Sequence, residues 1–366
     1  MIRVVHVVAA GEIGGAERML LDLASSRTSH AVALLTPNEA LARLFGDAGL
    51  RVYDRGRLDE GPVAFLASSL GERDVAFVAS VLARERAAVA HLHTFASQVV
   101  GTRAALRAGT AVIRTEHSTR VYDDPSCWPF SRWSLRRAHA SAAISEHVRR
   151  RALERAPWAS AKMRVVYNGV DLARFAPAPP DATRPFRFAV VGRLEPRKGV
   201  DLAIDALVHV ADAHLDIVGD GPDRVPLWKH ALSRGVSRRV VFHGFRDDPR
   251  DVVARASAVL CSSRSEGLGN AVMEAMAMAK PVVGFAVGGV AELVVHGETG
   301  LLARPQDPEA LAQRMREAMA AGARLHEWGQ HGRTRVRERF SVAAMRRAYD
   351  DLYDAVVARS SVDHGP

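Results

Sequence analysis

"SEGLGNAVMEAM", residues 265–276, places two glutamates, Glu266 and Glu274, on either side of a glycine turn. The run before it, "ASAVLCSS", is short and apolar and reads as a buried strand. The run after it, "GNAVMEAMAMAK", is rich in helix formers. The stretch is therefore a strand-to-helix loop at the carboxyl end of a parallel sheet, where open α/β folds bind ligands. At such a helix start the backbone N–H groups of Gly267, Leu268, Gly269 and Asn270 point outward and form an anion site. Glu274 sits about one turn further in, where a carboxylate suits hydroxyl donors rather than the same anion. The natural pairing is a pyrophosphate on the amides and a ribose diol on Glu274, with Glu266 facing hydroxyls at the other end. One ligand satisfies the whole set, a sugar nucleotide. For either glutamate alone, a solvated side chain or one offsetting a helix terminus is the plainer alternative.

Outward from this loop, strand-like runs alternate with helical patterns. "IRVVHVVAAG" precedes "GAERMLLDLASS", "HAVALLT" precedes "NEALARLFGDAG", and "VAHLHT", "AVIRTEH" and "ASAAIS" follow. This βα rhythm implies parallel strands covered on both faces by helices. It breaks at "FAPAPPDATRPF" (175–186), a Pro-rich segment that cannot continue a helix or a central strand and reads as a linker. It then restarts through "FRFAVVGRL", "VDLAIDALVHV", "HLDIVGDGP", "RVVFHGF", "ASAVLCSS", "KPVVGFAVGG" and "GLLARP". Two α/β domains are expected, over 1–176 and 185–338. A final helix is expected over 339–360, with Met345, Tyr349, Leu352, Tyr353 and Val356 at helical spacing. The tail after Ser360 is expected to lack order.

A length of 366 residues suits two domains, and 48% hydrophobic with 25% charged residues is ordinary for a soluble globular chain. The two cysteines, Cys127 and Cys261, lie far apart, which excludes a disulfide framework or a Cys-based zinc site and fits a reducing compartment. The apolar start "MIRVVHVVAAGEIGG" is too short for a signal peptide and is interrupted by Gly-Glu, so it reads as a buried first strand. No apolar stretch is long enough to cross a bilayer, and a cytoplasmic location is expected. The net charge of +9 suggests an anionic partner, although an Arg-rich composition alone also gives a basic chain. The motifs give no support to nucleic acid as that partner.

Taken together, the motifs resemble the retaining GT-B glycosyltransferases, in particular family 4, the glycogen-synthase-like and α-mannosyltransferase-like group. Glu266, seven residues, then Glu274 matches its signature. "VVGRLEPRKG" (190–199) is similar to its phosphate-clamp loop, with Arg193 and Lys198, and "VGDGP" (218–222), with Gly219, to its glycine turn. "KPVVGFAVGGVAELVVHGETGLLARPQDPEAL" resembles its C-terminal core, and "GGAE" (14–17), "TEH" (115–117) and "VVYNGVD" (165–171) match in the first half. The likeness is strong over 165–311 and weaker over 1–140. It implies two Rossmann-like domains facing each other across a cleft, the first binding acceptor and the second nucleotide sugar, with the last helix returning to the first. It implies hexosyl transfer from a UDP- or GDP-sugar to a hydroxyl of a saccharide or glycolipid, in the making of cell-surface polysaccharide or glycoconjugate.

Such a transfer needs the leaving diphosphate stabilised as the anomeric bond breaks, by preorganised positive charge and dipoles. Arg193 and Lys198 are the candidate cations and the helix start at Gly269 the dipole. No Asp-x-Asp occurs, and "DDP" at 123–125 and 247–249 does not match it, so neither a metal nor another cofactor is expected. His117 ends a first-domain strand, and by resemblance contacts the donor sugar and the transition state. His93 either lines the acceptor side or is structural, and His6 reads as core. Gly14 and Gly15 let the first loop approach the phosphates, or form a simple tight turn. By resemblance the configuration is retained by front-face displacement, with the leaving phosphate oxygen helping to deprotonate the acceptor. Glu266 then positions a sugar hydroxyl, a role as nucleophile being the alternative. The base is expected near "FHGFRDD" (242–248), where Phe245 and Arg246 either pack on it or face solvent.

Three rivals share parts of this reading. A dehydrogenase needs G-x-G-x-x-G and an acid ending the next strand, and "AGEIGGAE" and "HAVALLTPN" supply neither. A sugar-nucleotide epimerase on the same fold and a catalytically silent sugar-nucleotide-binding protein stay open. Finally, Cys127–Arg151 sets Trp128, Phe130 and Trp133 beside Arg132, Arg136 and Arg137 and ends in Arg149, Arg150 and Arg151. Such a pattern suits an anionic lipid surface at the inner face of the membrane and a lipid-linked acceptor, or else a helix with an aromatic core side and a solvated basic face.

Overall fold

Runs of β-branched and small apolar residues form strands here because both faces of each sheet are covered. The first strand, β1 (Arg3–Val8), is buried from Val4 to Val8. The computed structural model describes residues 1–10, 14–24, 28–36, 38–55, 71–178 and 185–362. Contacts divide the chain into two units, Met1–Gly169 with Val342–Pro366, and Val170–Ser341. The division precedes the Pro-rich segment 175–186, of which residues 179–184 lie outside the described residues. Both ends of the second unit are tied together, since the Val170 amide donates to Phe340 O at 2.9 Å and Val170 bridges Ser341.

The first unit adds β2 (Ser29–Leu34), β3 (Arg51–Asp54), β4 (Val89–Leu92), β5 (Ala111–Glu116), β6 (Ala140–Ala143) and β7 (Met163–Val165). These strands form a parallel sheet in the order β3-β2-β1-β4-β5-β6-β7. The second unit contains β8 (Phe186–Val191), β9 (Ala213–Val218), β10 (Val240–Gly244), β11 (Ala258–Cys261), β12 (Val282–Phe285) and β13 (Gly300–Ala303). They run parallel in the order β10-β9-β8-β11-β12-β13. The two units share one winding. Each chain steps outward over three strands, then returns beside the first, so the order reverses between β1 and β4 and again between β8 and β11. Ligands of open α/β sheets bind at the carboxyl ends of the strands at this switch point.

Among the described residues, three helices start on a capping side chain, from Asn38, Ser145 and Asp307. The Asn38 side chain accepts from the Leu41 amide at 3.0 Å and caps the helix Glu39–Asp47. The last helix, Val342–Val362, lays Met345, Tyr349, Leu352, Tyr353 and Val356 into a core with Val4, Met19, Leu23 and Ile113 of the first unit. The helix runs two residues past Ser360, and 363–366 lie outside the described residues. Among the described residues no helix is long and apolar enough to cross a membrane.

Candidate active site

In the second unit the loops leaving β8 and β11 meet at the switch point. Gly199 makes the meeting possible. Its φ is +58°, and a Cβ there would lie 2.2 Å from the Ser262 carbonyl oxygen. Only a glycine fits both the left-handed backbone and the approach. The approach delivers Lys198 to Glu266, whose Oε1 accepts from Lys198 Nζ at 2.6 Å and from Ser263 Oγ at 2.7 Å. The Arg197 guanidinium stands 3.5 Å from the other carboxylate oxygen. Glu266 is buried, and with Gly192, Lys198, Ser263 and Gly269 it lines a small pocket. A buried carboxylate needs such partners, because desolvation penalises an unpaired charge heavily.

The helix Asn270–Ala277 starts at this pocket, after Gly269 at φ +106°. The Leu268 side chain is buried, whereas Gly267, Asn270 and Glu274 are half-buried. Arg193 is exposed, with its Nε 3.9 Å from Glu195. Gly219 makes a backbone contact of its own. A Cβ there would fall 1.9 Å from Gly192 O, and its amide donates to Gly244 O at 2.9 Å, so it lets the loops after β8 and β9 touch. Of the residues considered for base recognition, Phe245 is exposed and Arg246 lies 3.3 Å from Asp251. Cys261, at the end of β11, is buried, and burial first and Glu266 second push its thiol up to about 11.

In the first unit, the Gly14 amide donates to Glu17 Oε2 at 2.9 Å and opens the helix Gly15–Leu23, which Gly15 begins. Burial raises the Glu17 carboxyl above its usual range, against the hydrogen bonds from its own amide and that of Gly14. Across β2, β1, β4 and the end of β5 lies a cluster of imidazoles, of which His93 and His117 stand just past the carboxyl ends of β4 and β5. His6 and His91 are register partners on neighbouring strands. Strand alternation puts His93 on the face of His91, and His117 on the face of Thr115. His6 Nδ1 lies 2.9 Å from His93 Nε2, and His93 Nδ1 lies 3.3 Å from His117 Nε2. His6 Nε2 lies 2.8 Å from His30 Nδ1, and His30 Nε2 is bonded to the Thr28 hydroxyl. His91 joins Tyr353 OH at 2.8 Å and Thr115 Oγ1 at 2.7 Å, and Thr115 joins Tyr349 OH at 2.9 Å.

Burial, then neighbouring imidazoles, lowers His6, His91 and His93 well below the ordinary histidine value. Burial lowers His30 to about 4, and His117 also to about 4 against the opposing charge of Glu116. These rings are therefore neutral at pH 7. His6, His91 and His93 bring ring nitrogens within 4.8 Å of one another, the one such metal-sized group among the described residues. Both nitrogens of each already bond to another ring or hydroxyl, so a metal there would have to displace existing bonds. Glu116 of "TEH" turns to the opposite face, where it pairs with the fully buried Arg114 at 2.9 Å.

The aromatic and basic segment forms the helices Trp128–Arg137 and Glu146–Arg155. Trp128 and Trp133 are half-buried, and Phe130, Arg132, Arg136, Arg137 and Arg150 are exposed. Arg137 stacks over Trp133 at 4.6 Å. Arg149 pairs with Glu146 at 3.5 Å, and Arg151 with Asp123 at 2.7 Å and Glu154 at 2.5 Å, so the run carries less free positive charge than its sequence suggests.

Sequence reasoning brought Lys198 and Glu266 to one site but overlooked Ser263 and Arg197, their immediate partners. Ser263 had a readable signal, a hydroxyl three residues before a loop glutamate. His30 had none, because its neighbour is set by strand order.

Residues 13–174 match the family described as Glycosyltransferase Family 4, and residues 175–335 the family Glycosyl transferases group 1. The alpha-maltose-1-phosphate synthase of Mycolicibacterium smegmatis is 30% identical over 321 residues, 75% of this chain and 80% of that protein. The lipopolysaccharide core biosynthesis glycosyltransferase LpsE of Rhizobium meliloti is 33% identical over 162 residues, 44% of this chain and only 48% of LpsE. Among solved structures, Anabaena HepE in complex with UDP superposes with a TM-score of 0.85 at 24% identity, covering 97% of this chain and 100% of HepE. Sucrose-phosphate synthase from Thermosynechococcus elongatus gives 0.83 at 21%, covering 98% and 100%. With family matches running through both halves, a relative 30% identical over most of its length and close superposition on these structures, the chain belongs to glycosyltransferase family 4, with the GT-B fold.

Proposed function

We propose that this protein is a retaining glycosyltransferase that moves a hexosyl group from a nucleotide-diphosphate sugar to a hydroxyl of a saccharide or glycolipid, without a metal. The observation that carries the reading is the buried Glu266 held by Lys198 and Ser263 at the β8/β11 switch point, beside a helix start. In the free site the ammonium and carboxylate balance each other. A bound diphosphate offers Lys198 a second anion, and a donor-sugar hydroxyl offers Glu266 a replacement hydrogen bond while Ser263 continues to donate.

The helix start and Lys198 then stabilise charge that grows on the leaving phosphate as the anomeric C–O bond breaks. A phosphate oxygen takes the acceptor hydroxyl proton, and the acceptor oxygen bonds to the same face of the sugar, which preserves configuration. Arg193 adds positive charge, and Gly219 shapes the loop. The amides of Gly267, Leu268, Gly269 and Asn270 take the diphosphate, and Glu274 the ribose. In the first unit, Gly14 and Gly15 open the first loop, and His117 serves the sugar by the family resemblance.

HepE has been crystallised with UDP and with UDP-glucose, which supports a UDP-sugar as the first donor to try. LpsE is a lipopolysaccharide core biosynthesis glycosyltransferase, which supports a glycolipid acceptor; in this proposal the acceptor is reached from the cytoplasmic side, with the exposed Phe130 and arginines resting on anionic lipid.

The test is turnover of UDP- and GDP-sugars with saccharide and lipid-linked acceptors, followed by NMR of the anomeric linkage. Nucleotide release coupled to a product of unchanged configuration is expected. An inverted product refutes retention, an isomerised donor without transfer points to an epimerase, and binding without turnover points to a silent binder.

A further inference from the structure

Four imidazoles of the first unit form one hydrogen-bonded line: His30, His6, His93 and His117. Each link joins Nδ1 of one ring to Nε2 of the next, at 2.8, 2.9 and 3.3 Å. The Thr28 hydroxyl, half-buried, meets Nε2 of His30 at the far end. At the near end, among the described residues, Nδ1 of His117 is the one ring nitrogen of the line that takes no part in these links. His6, His30 and His93 are buried, and His117 is half-buried.

We infer that His93, His6 and His30 are positioning residues that set the tautomer of His117. A neutral imidazole has one N–H and one bare nitrogen. Because every link runs from Nδ1 to Nε2, only two arrangements satisfy all three links. Either all four rings carry the proton on Nδ1, or all four carry it on Nε2. Any mixture faces two N–H groups, or two lone pairs, across a dry contact. In the first arrangement His117 presents an N–H donor from Nδ1; in the second it presents a bare nitrogen. The Thr28 hydroxyl can donate or accept, so it closes the line in either state. His117 therefore does not choose its tautomer locally; the choice is made jointly by four rings on adjacent strands. Moving from one state to the other shifts one proton across each link, takes one up at one end and releases one at the other, and leaves no ring charged.

The catalytic consequence rests on the proposed transferase reading, in which His117 touches the sugar. The shared tautomer does not. The experiment therefore has two arms. In the first, the full chain is labelled with ¹⁵N-histidine, and two-bond ¹H–¹⁵N correlations are read at neutral pH. The four signals are assigned among the 15 histidines by single substitutions. One tautomer common to all four rings is expected; differing tautomers, or a charged ring, overturn the inference.

In the second arm His30→Leu cuts the line far from His117, and His30→Gln restores a donor and an acceptor. In His30→Leu the His117 nitrogen signals should move toward a tautomer mixture. Turnover should fall by about tenfold or more with donor KM unchanged, since a histidine in the wrong tautomer loses its catalytic use. His30→Gln should recover most of both. If His30→Leu folds with His117 shifts and kcat unchanged, the line is only structural and the inference fails. If His30→Leu does not fold, the wild-type tautomers still decide. If the wild type transfers no sugar, the spectra stand while the transferase reading falls.

Discussion

Lys198→Ala separates two things the ammonium can do. Its Nζ lies 2.6 Å from Glu266 Oε1, with the lysine side chain 20% exposed and the carboxylate 10%. Removing it leaves Glu266 with Ser263 at 2.7 Å and Arg197 at 3.5 Å, so the carboxylate is weakened in its bonding but not orphaned. A charge-assisted hydrogen bond of this kind is worth about 1.5–3 kcal/mol, and partial exposure with a remaining cation brings the folding loss toward ~1 kcal/mol. The catalytic loss is larger. Negative charge on the leaving diphosphate grows as the anomeric bond breaks, and losing one preorganised donor to such charge costs roughly 10²–10³ in kcat. Ground-state binding should change less, because the helix-start amides and Arg193 continue to meet the phosphates. Steady-state nucleotide release, with calorimetric titration of the nucleotide and a thermal melt as the folding control, resolves the terms. A melt within a few degrees, kcat down by about two to three orders of magnitude and nucleotide affinity down by less than about tenfold is the expected pattern. A variant with normal kcat and raised KM would mean that Lys198 binds ground and transition state equally and is not the clamp.

Glu274→Ala should weaken nucleotide binding by about 1.5–3 kcal/mol as the ribose loses a charged acceptor, and equal affinity for UDP, GDP and ADP before and after would remove that assignment. EDTA should leave turnover intact, and activity lost on chelation and restored by Mn²⁺ or Mg²⁺ would overturn the metal-free reading. Because burial lowers His30 to about 4, the unfolded chain binds its proton first as pH falls from about 6.5, so stability drops with acid. For His30 alone the loss is about 2 kcal/mol by pH 5, and urea melts at pH 7.5 and 5 with no such drop would show the ring is not held neutral. The protein should float with anionic but not neutral liposomes at low salt; staying soluble with both, with Trp133→Ala/Arg136→Ala fully active on a lipid acceptor, would refute membrane contact.

What could be read from the chain, and what could not, divides along a physical line. Local signals survive in sequence: β11 is a continuous apolar run buried throughout, β8 is apolar but for Arg187 and buried over Phe188–Val190, and the glycines and charges after them stand out against that background. The edge strand Arg51–Asp54 and the three-residue Met163–Val165 are partly exposed and carry charged residues, so they lack the contrast that identifies a strand. Contacts are a different matter. Lys198 and Glu266 lie 68 residues apart, and what joins them is the placement of β8 beside β11. No periodicity in either segment states which strand will be its neighbour.

The same limit explains the histidines. The pair His91 and His93 shows in sequence as a period of two, and taken singly His6 reads as core, His93 as structural or acceptor-lining, and His117 as a site residue. Their joint property arises from the order β2-β1-β4-β5, which sets His30, His6, His93 and His117 in line across four strands. That order also accounts for where chemistry can sit. Where the winding reverses, the two chains leaving β1 and β4 turn to opposite faces of the sheet, as do those leaving β8 and β11. The strand ends between them are left uncovered. Polar side chains placed there reach a ligand while their stems are held by a buried sheet. Gly199 shows the same dependence on a neighbour in the second unit: a Cβ there would lie 2.2 Å from the Ser262 carbonyl oxygen, so any side chain would push apart the two loops that bring Lys198 to Glu266.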